Sequence, residues 1–115
     1  MPRRLYLALF VSALLAPGLA ACSDSSGPDE DETVTIEMRT GNVFSPASPT
    51  IDAGTTVRWI NEDAVAHNTT SSTAGLWASS NLAEGGTFQR TFATAGSFPY
   101  ECTIHPGMTG TITVR

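Results

Sequence analysis

From residue 33 onward the chain alternates apolar and polar residues with a period of two, and no window sustains the period of an amphipathic helix. In "TVTIEMR" Val34, Ile36 and Met38 fall on one face, with Thr35, Glu37 and Arg39 on the other. "TTVRWIN" repeats the pattern with Val57 and Trp59. "SFPYEC" sets Phe98, Tyr100 and Cys102 on one side, and "TGTITV" turns Ile112 and Val114 inward. "TFQRTF" is also strand-like, although Arg90 interrupts its inward face. Such a period suits extended backbone, whose successive side chains point to opposite faces of a sheet. Turn signals separate the runs: Thr40-Gly41-Asn42, Asp52-Ala53-Gly54, Glu84-Gly85-Gly86 and Ala95-Gly96. "FSPASPT" carries two prolines and suits a sheet edge. Short strands at this spacing predict an all-β, antiparallel sandwich or barrel. Residues 71–84, with Leu76, Trp77 and Leu82, keep no period, and a loop with a short helical turn is expected there.

Residues 1–21 have a different character. Arg3 and Arg4 precede an apolar segment over residues 5–15, which Pro17 and Gly18 end before small residues. This is the layout of an export signal, and it is short for a membrane-spanning helix. Leu19-Ala20-Ala21-Cys22 resembles a bacterial lipobox, in which the cysteine is acylated and becomes the mature N-terminus. The next run, "SDSSGPDEDE", has nothing apolar to bury and reads as a disordered acidic tether over residues 22–32. The expected plan is therefore signal peptide 1–21, tether 22–32 and one domain over 33–115, outside the cytoplasm and anchored through lipid on Cys22.

A domain of that size has a marginal surface-to-volume ratio. Trp59, Phe88, Phe92 and Phe98 must supply much of its core, and a bound metal would add stability by mass action. Its charge excludes some partners. The formal net charge of the chain is -5 and there is no lysine; from residue 33 on, four arginines face six acidic residues. With no basic patch, nucleic acid is not an expected partner, and membrane attachment would come from acyl chains rather than from attraction to anionic lipid.

The scarce residues are the informative ones. The chain has two cysteines and two histidines. "YECTIHPGM" sets Cys102, His105 and Met108 at three-residue intervals, in a loop that Pro106 and Gly107 force to turn. The other histidine, His67, follows the Trp59 strand in "NEDAVAHNTT", where a neighbouring loop can carry it to the same end of a sandwich. If Cys22 carries lipid, Cys102 has no disulfide partner. A lone thiol outside the cytoplasm is then best protected by burial or by a metal. Two imidazoles and a thiolate in a plane, with a weak axial thioether, make a blue-copper site, whereas zinc prefers more thiolate or a fourth hard donor.

From residue 33 to residue 115 the chain resembles a small cupredoxin of the plastocyanin/amicyanin type. The resemblance rests on "FSP", "AGTTVRWINED", "AHN", "AGSFPYEC" and "CTIHPGMTGTITV", the last with the short spacing of an amicyanin-like ligand loop. It implies a Greek-key fold and one copper ion held by His67, Cys102, His105 and Met108. It also implies that Asn68 ties the two ligand loops together by hydrogen bonds. "SSTAGLWASSN" is a longer, more polar segment than the family usually has.

The function expected is a monomeric electron carrier, not an enzyme, cycling Cu(II)/Cu(I) with transient redox protein partners. His105 would be its electron port, rimmed by Ala66, Pro106 and Gly107. The rival expectation is copper storage or delivery; such sites favour exposed Met and His donors, so the cysteine argues against it.

Overall fold

The computed structural model describes residues 32–115. The expected export signal, Cys22 and all of the expected tether but Glu32 lie outside the described residues. Eight strands form among them: β1 (Thr33–Arg39), β2 (Val43–Ser45), β3 (Thr50–Ile51), β4 (Thr55–Asn61), β5 (Thr70–Ser71), β6 (Thr87–Phe92), β7 (Gly96–Glu101) and β8 (Thr109–Val114). They make two four-stranded sheets, ordered β2-β1-β4-β6 and β3-β8-β7-β5. This is the all-β sandwich expected from the alternation. Each sheet is mixed rather than wholly antiparallel: β1 pairs with β4, and β3 with β8, in parallel. Parallel neighbours need a crossover between them. The chain provides one by passing to the second sheet at β3 before returning at β4.

The inward faces are those the alternation selects. Ile36 and Met38 of β1, Val57 and Trp59 of β4, and Ile112 and Val114 of β8 are buried. Each fully buried aliphatic side chain among them contributes roughly 1.5–3 kcal/mol. Trp59 is the centre of an aromatic cluster, with ring centroids 5.6 Å from Tyr100, 5.8 Å from Trp77 and 5.9 Å from Phe88. Arg90 does share the inward side of β6 with Phe88 and Phe92, yet it stays half-buried. Its guanidinium lies 4.7 Å from the Phe92 ring centroid and 5.2 Å from that of Trp77. A cation is tolerated there because ring faces attract it while its head keeps contact with water.

Tyr100 ties the second sheet to the loop before β3. Its hydroxyl donates to the Ala47 carbonyl at 2.8 Å, and burial pushes the phenol above its ordinary pKa. Tyr100 sits opposite Gly110 in the β7–β8 ladder. A Cβ on Gly110 would run into the Ala47 carbonyl and the Tyr100 ring. Glycine is therefore required by close approach, where β8 leaves the 102–108 loop.

Residues 71–84 contain no helical turn, contrary to expectation; Ser71 ends β5, and residues 72–86 lead on to β6. The segment folds back along residues 67–71 instead. Ser71 donates to Trp77, Ser79 to Thr69, and His67 and Leu82 exchange backbone hydrogen bonds at 3.2 and 2.7 Å. Backbone groups engaged in this way cannot close helical turns. The folding back buries Trp77 and Leu82, while Leu76 stays exposed.

Candidate metal centre

Two chain segments meet at one end of the sandwich. β5 pairs with the last residues of β7, Thr70 opposite Glu101 and Ser71 opposite Tyr100. That register sets the residues just before β5, His67 and Asn68, beside the residue just after β7, Cys102. The Asn68 N–H points at the Cys102 sulfur, 3.3 Å away.

The three-residue spacing of Cys102, His105 and Met108 now has a geometric cause. His105 N–H donates to the Cys102 carbonyl at 3.4 Å, and Met108 N–H donates to the His105 carbonyl at 3.1 Å. Each bond closes one tight turn, and each turn advances the chain by three residues. The Cys102 N–H then reaches the Met108 carbonyl at 2.9 Å and seals the loop. Gly107 has φ +90°, a conformation that a residue with a Cβ rarely adopts.

The donors converge. One ligating atom each from His67, Cys102 and His105 lies within 4.8 Å of the others. The two Nδ1 atoms are 3.1 Å apart, and the Cys102 sulfur is 3.5 Å from Nδ1 of His105. Metal–nitrogen and metal–sulfur bonds are about 2.0 and 2.3 Å long, so these separations suit one ion touching all three. Among the described residues Cys102 is a free, buried thiol. His67 is fully buried, Met108, whose carbonyl takes the Cys102 N–H, is also buried, and His105 is half-exposed. One soft thiolate, two imidazoles and a buried thioether fit copper by donor chemistry.

Asn68 bridges the two loops. Its amide donates to the Thr103 hydroxyl at 2.8 Å, and its carbonyl oxygen accepts the Thr103 N–H at 3.1 Å. The same amide also donates to Asn81 at 2.9 Å, drawing in the 72–86 segment.

Two residues that the sequence reading did not single out complete the site. Asp63 accepts from Nε2 of His67 at 2.9 Å. Its other oxygen accepts the Ala64 N–H at 2.7 Å and the Thr40 hydroxyl at 3.3 Å. The hydrogen bond with His67 holds the Asp63 carboxyl below its usual pKa, helped by those from Ala64 and Thr40 and opposed by desolvation. Asn61, fully buried at the end of β4, braces the same loop. Its amide donates to the carbonyls of Val65 and Leu82, both at 2.8 Å, and its carbonyl oxygen takes the Asp63 N–H at 2.8 Å. In sequence both residues look like ordinary loop-formers. The only signal was an Asp four residues before a candidate ligand.

Known proteins are similar to this chain in sequence and fold. A cupredoxin-like domain family matches residues 8–114. The plastocyanin of Scenedesmus fuscus is 36% identical over 98 residues, spanning 74% of this chain and all of that protein. The halocyanin of Natronomonas pharaonis is 38% identical over 99 residues, covering 81% of this chain and 61% of the halocyanin. Among solved structures, a purple cupredoxin from Nitrosopumilus maritimus superposes with a TM-score of 0.67 at 33% identity, over 70% of this chain and 98% of its own. A reduced tryptophan-to-tyrosine mutant of amicyanin gives a TM-score of 0.67 at 26% identity, over 74% and 84% of the two chains.

Proposed function

The chain belongs to the cupredoxin family, and on that premise we propose that it is an electron carrier holding one copper ion between His67, Cys102, His105 and Met108. The observation that carries this reading is the convergence of the His67, Cys102 and His105 donor atoms within 4.8 Å, with the Cys102 thiol buried and in no disulfide among the described residues. Copper bound there supplies a one-electron Cu(II)/Cu(I) couple. The protein's part is to hold the donors still. The sealed 102–108 loop, the Asn68 bridge and the Asn61 brace fix their positions, so little reorganisation accompanies a change of charge. No bond-making step is involved.

His105 connects the site with the surface. Its chain neighbours Ile104, Pro106 and Gly107 are exposed, and Val65 and Ala66, just before His67, are exposed and half-buried. This apolar rim suits brief docking of a redox protein, for which small, weak interfaces are normal. Storage or delivery of copper is less well supported. Cys102, His67 and Met108 are all buried, and a site that hands on its ion needs donors a partner can reach. Purified protein titrated with Cu(II) is expected to saturate at one equivalent and to develop an intense visible band from thiolate-to-copper charge transfer. A colourless one-to-one complex would rule out a blue-copper site.

The same reading extends to the N-terminal segment. Leu19-Ala20-Ala21-Cys22 and the acidic run after it support a carrier tethered by lipid on Cys22, outside the cytoplasm. In cells expressing the full chain, the protein is expected in the membrane fraction, and Cys22→Ala in the soluble fraction. Equal solubility of the two would sink the tether.

A further inference from the structure

The Asp63–His67 contact adds something that a holding role alone does not need. His67 is fully buried, and its ring is gripped at both ends: Nδ1 faces His105, and Nε2 lies 2.9 Å from the Asp63 carboxylate. A backbone carbonyl at the same position would fix the ring equally well and bring no net charge. Here the acceptor is a carboxylate, itself buried to 9% exposure and oriented by Ala64 and Thr40. Among the described residues no arginine pairs with it: Arg39 pairs with Glu37, and Arg115 with Asp52. The negative charge is therefore directed at the imidazole.

We infer that Asp63 is a positioning residue that sets the reduction potential, by holding His67 as the Nε2–H tautomer and lending negative charge to the site through the ring. This rests on the reading of His67 as a copper ligand. A carboxylate hydrogen-bonded to the far nitrogen of a ligating histidine fixes its tautomer and raises its basicity. Negative charge one ring away stabilises the more positive oxidation state, and low exposure limits screening by water. Asp63 thus favours Cu(II) over Cu(I).

The test compares copper-loaded wild type, Asp63→Asn and Glu62→Gln by voltammetry. Asparagine can still accept from Nε2–H with its amide oxygen, so the substitution removes charge and keeps the contact. Glu62 is exposed and one residue away, so Glu62→Gln makes the same charge change without touching the ring. Asp63→Asn is expected to keep the visible band and to shift the Cu(II)/Cu(I) equilibrium toward Cu(I) by about tenfold, or about 59 mV for one electron. Glu62→Gln is expected to leave the potential nearly unchanged. An unmoved potential in Asp63→Asn overturns the inference, as does an equal shift in Glu62→Gln. Nitrogen-15 NMR of the diamagnetic Cu(I) wild type gives a check that does not depend on the variant folding. The His67 Nε2 proton is expected to exchange slowly and to be hydrogen-bonded, and its absence also overturns the inference. If the wild type lacks the charge-transfer band, the copper reading falls and this one with it. If the band is present and the potential does not move, this one alone falls.

Discussion

Cys102→Ser is expected to abolish the visible absorption completely and to lower copper affinity by orders of magnitude, while the sandwich still folds. The optical effect is all-or-none because the band needs a thiolate, and serine remains a neutral, hard hydroxyl at neutral pH. The affinity falls because the soft donor that suits both oxidation states is gone. The fold should tolerate the change. Cys102 makes no disulfide among the described residues, and although it packs in the core just past the end of β7, serine has nearly its volume. The Asn68 N–H that now points at its sulfur can meet the serine oxygen instead. A loss on the order of 1 kcal/mol is ordinary for such a substitution, and it corresponds to roughly 4–8 °C in the melting temperature of a domain this small. Absorption spectra after Cu(II) addition and thermal melts of the metal-free proteins separate the two effects. A visible band that survives in Cys102→Ser would mean that the thiolate is not the ligand.

The strands that one face of alternating residues defines were legible in advance. β1, β4, β7 and β8 turn inward the faces their sequences select, with Val34 and Phe98 only partly buried, because a period of two leaves a strand only one face to turn inward. Which strands become neighbours was not legible. The parallel pairing of β1 with β4 is decided by where the chain crosses between sheets, and nothing local in "TVTIEMR" encodes that. The 72–86 segment resisted reading for another reason. Trp77 and Leu82 are buried singly, each by folding back onto residues 67–71, so they leave no period to detect.

The site divides along a similar line. His67, Cys102, His105 and Met108 stood out because the chain has so few such donors, and because soft ligands at regular spacing have little else to do in one loop. Asp63 and Asn61 did not, since "NED" after a strand reads as turn chemistry. Their function depends on hydrogen bonds to His67, Val65 and Leu82, which exist only once the loop and the 72–86 segment are packed together. Scarcity reveals metal donors; the groups that orient them are common residue types, visible only in three dimensions.

Met108 and His67 are both buried at the site, yet their removal should have opposite outcomes. Met108→Leu is expected to keep copper and colour and to raise the reduction potential. Leucine has nearly the same volume, and such swaps usually cost less than about 1.5 kcal/mol, so the sealed 102–108 loop should persist. An axial thioether is a long, weak ligand. Its loss removes little binding energy, but it does remove a donor that helps Cu(II) more than Cu(I). His67→Ala should lose the normal spectrum and most of the affinity. It deletes one of the three converging donors, leaves a cavity where a fully buried ring stood, and strands the Asp63 carboxylate without its partner. Copper titration and voltammetry on the two variants decide the matter. If Met108→Leu loses copper as completely as His67→Ala, the thioether would be a strong donor, and the site would have to be a more nearly tetrahedral one than the proposal takes it to be.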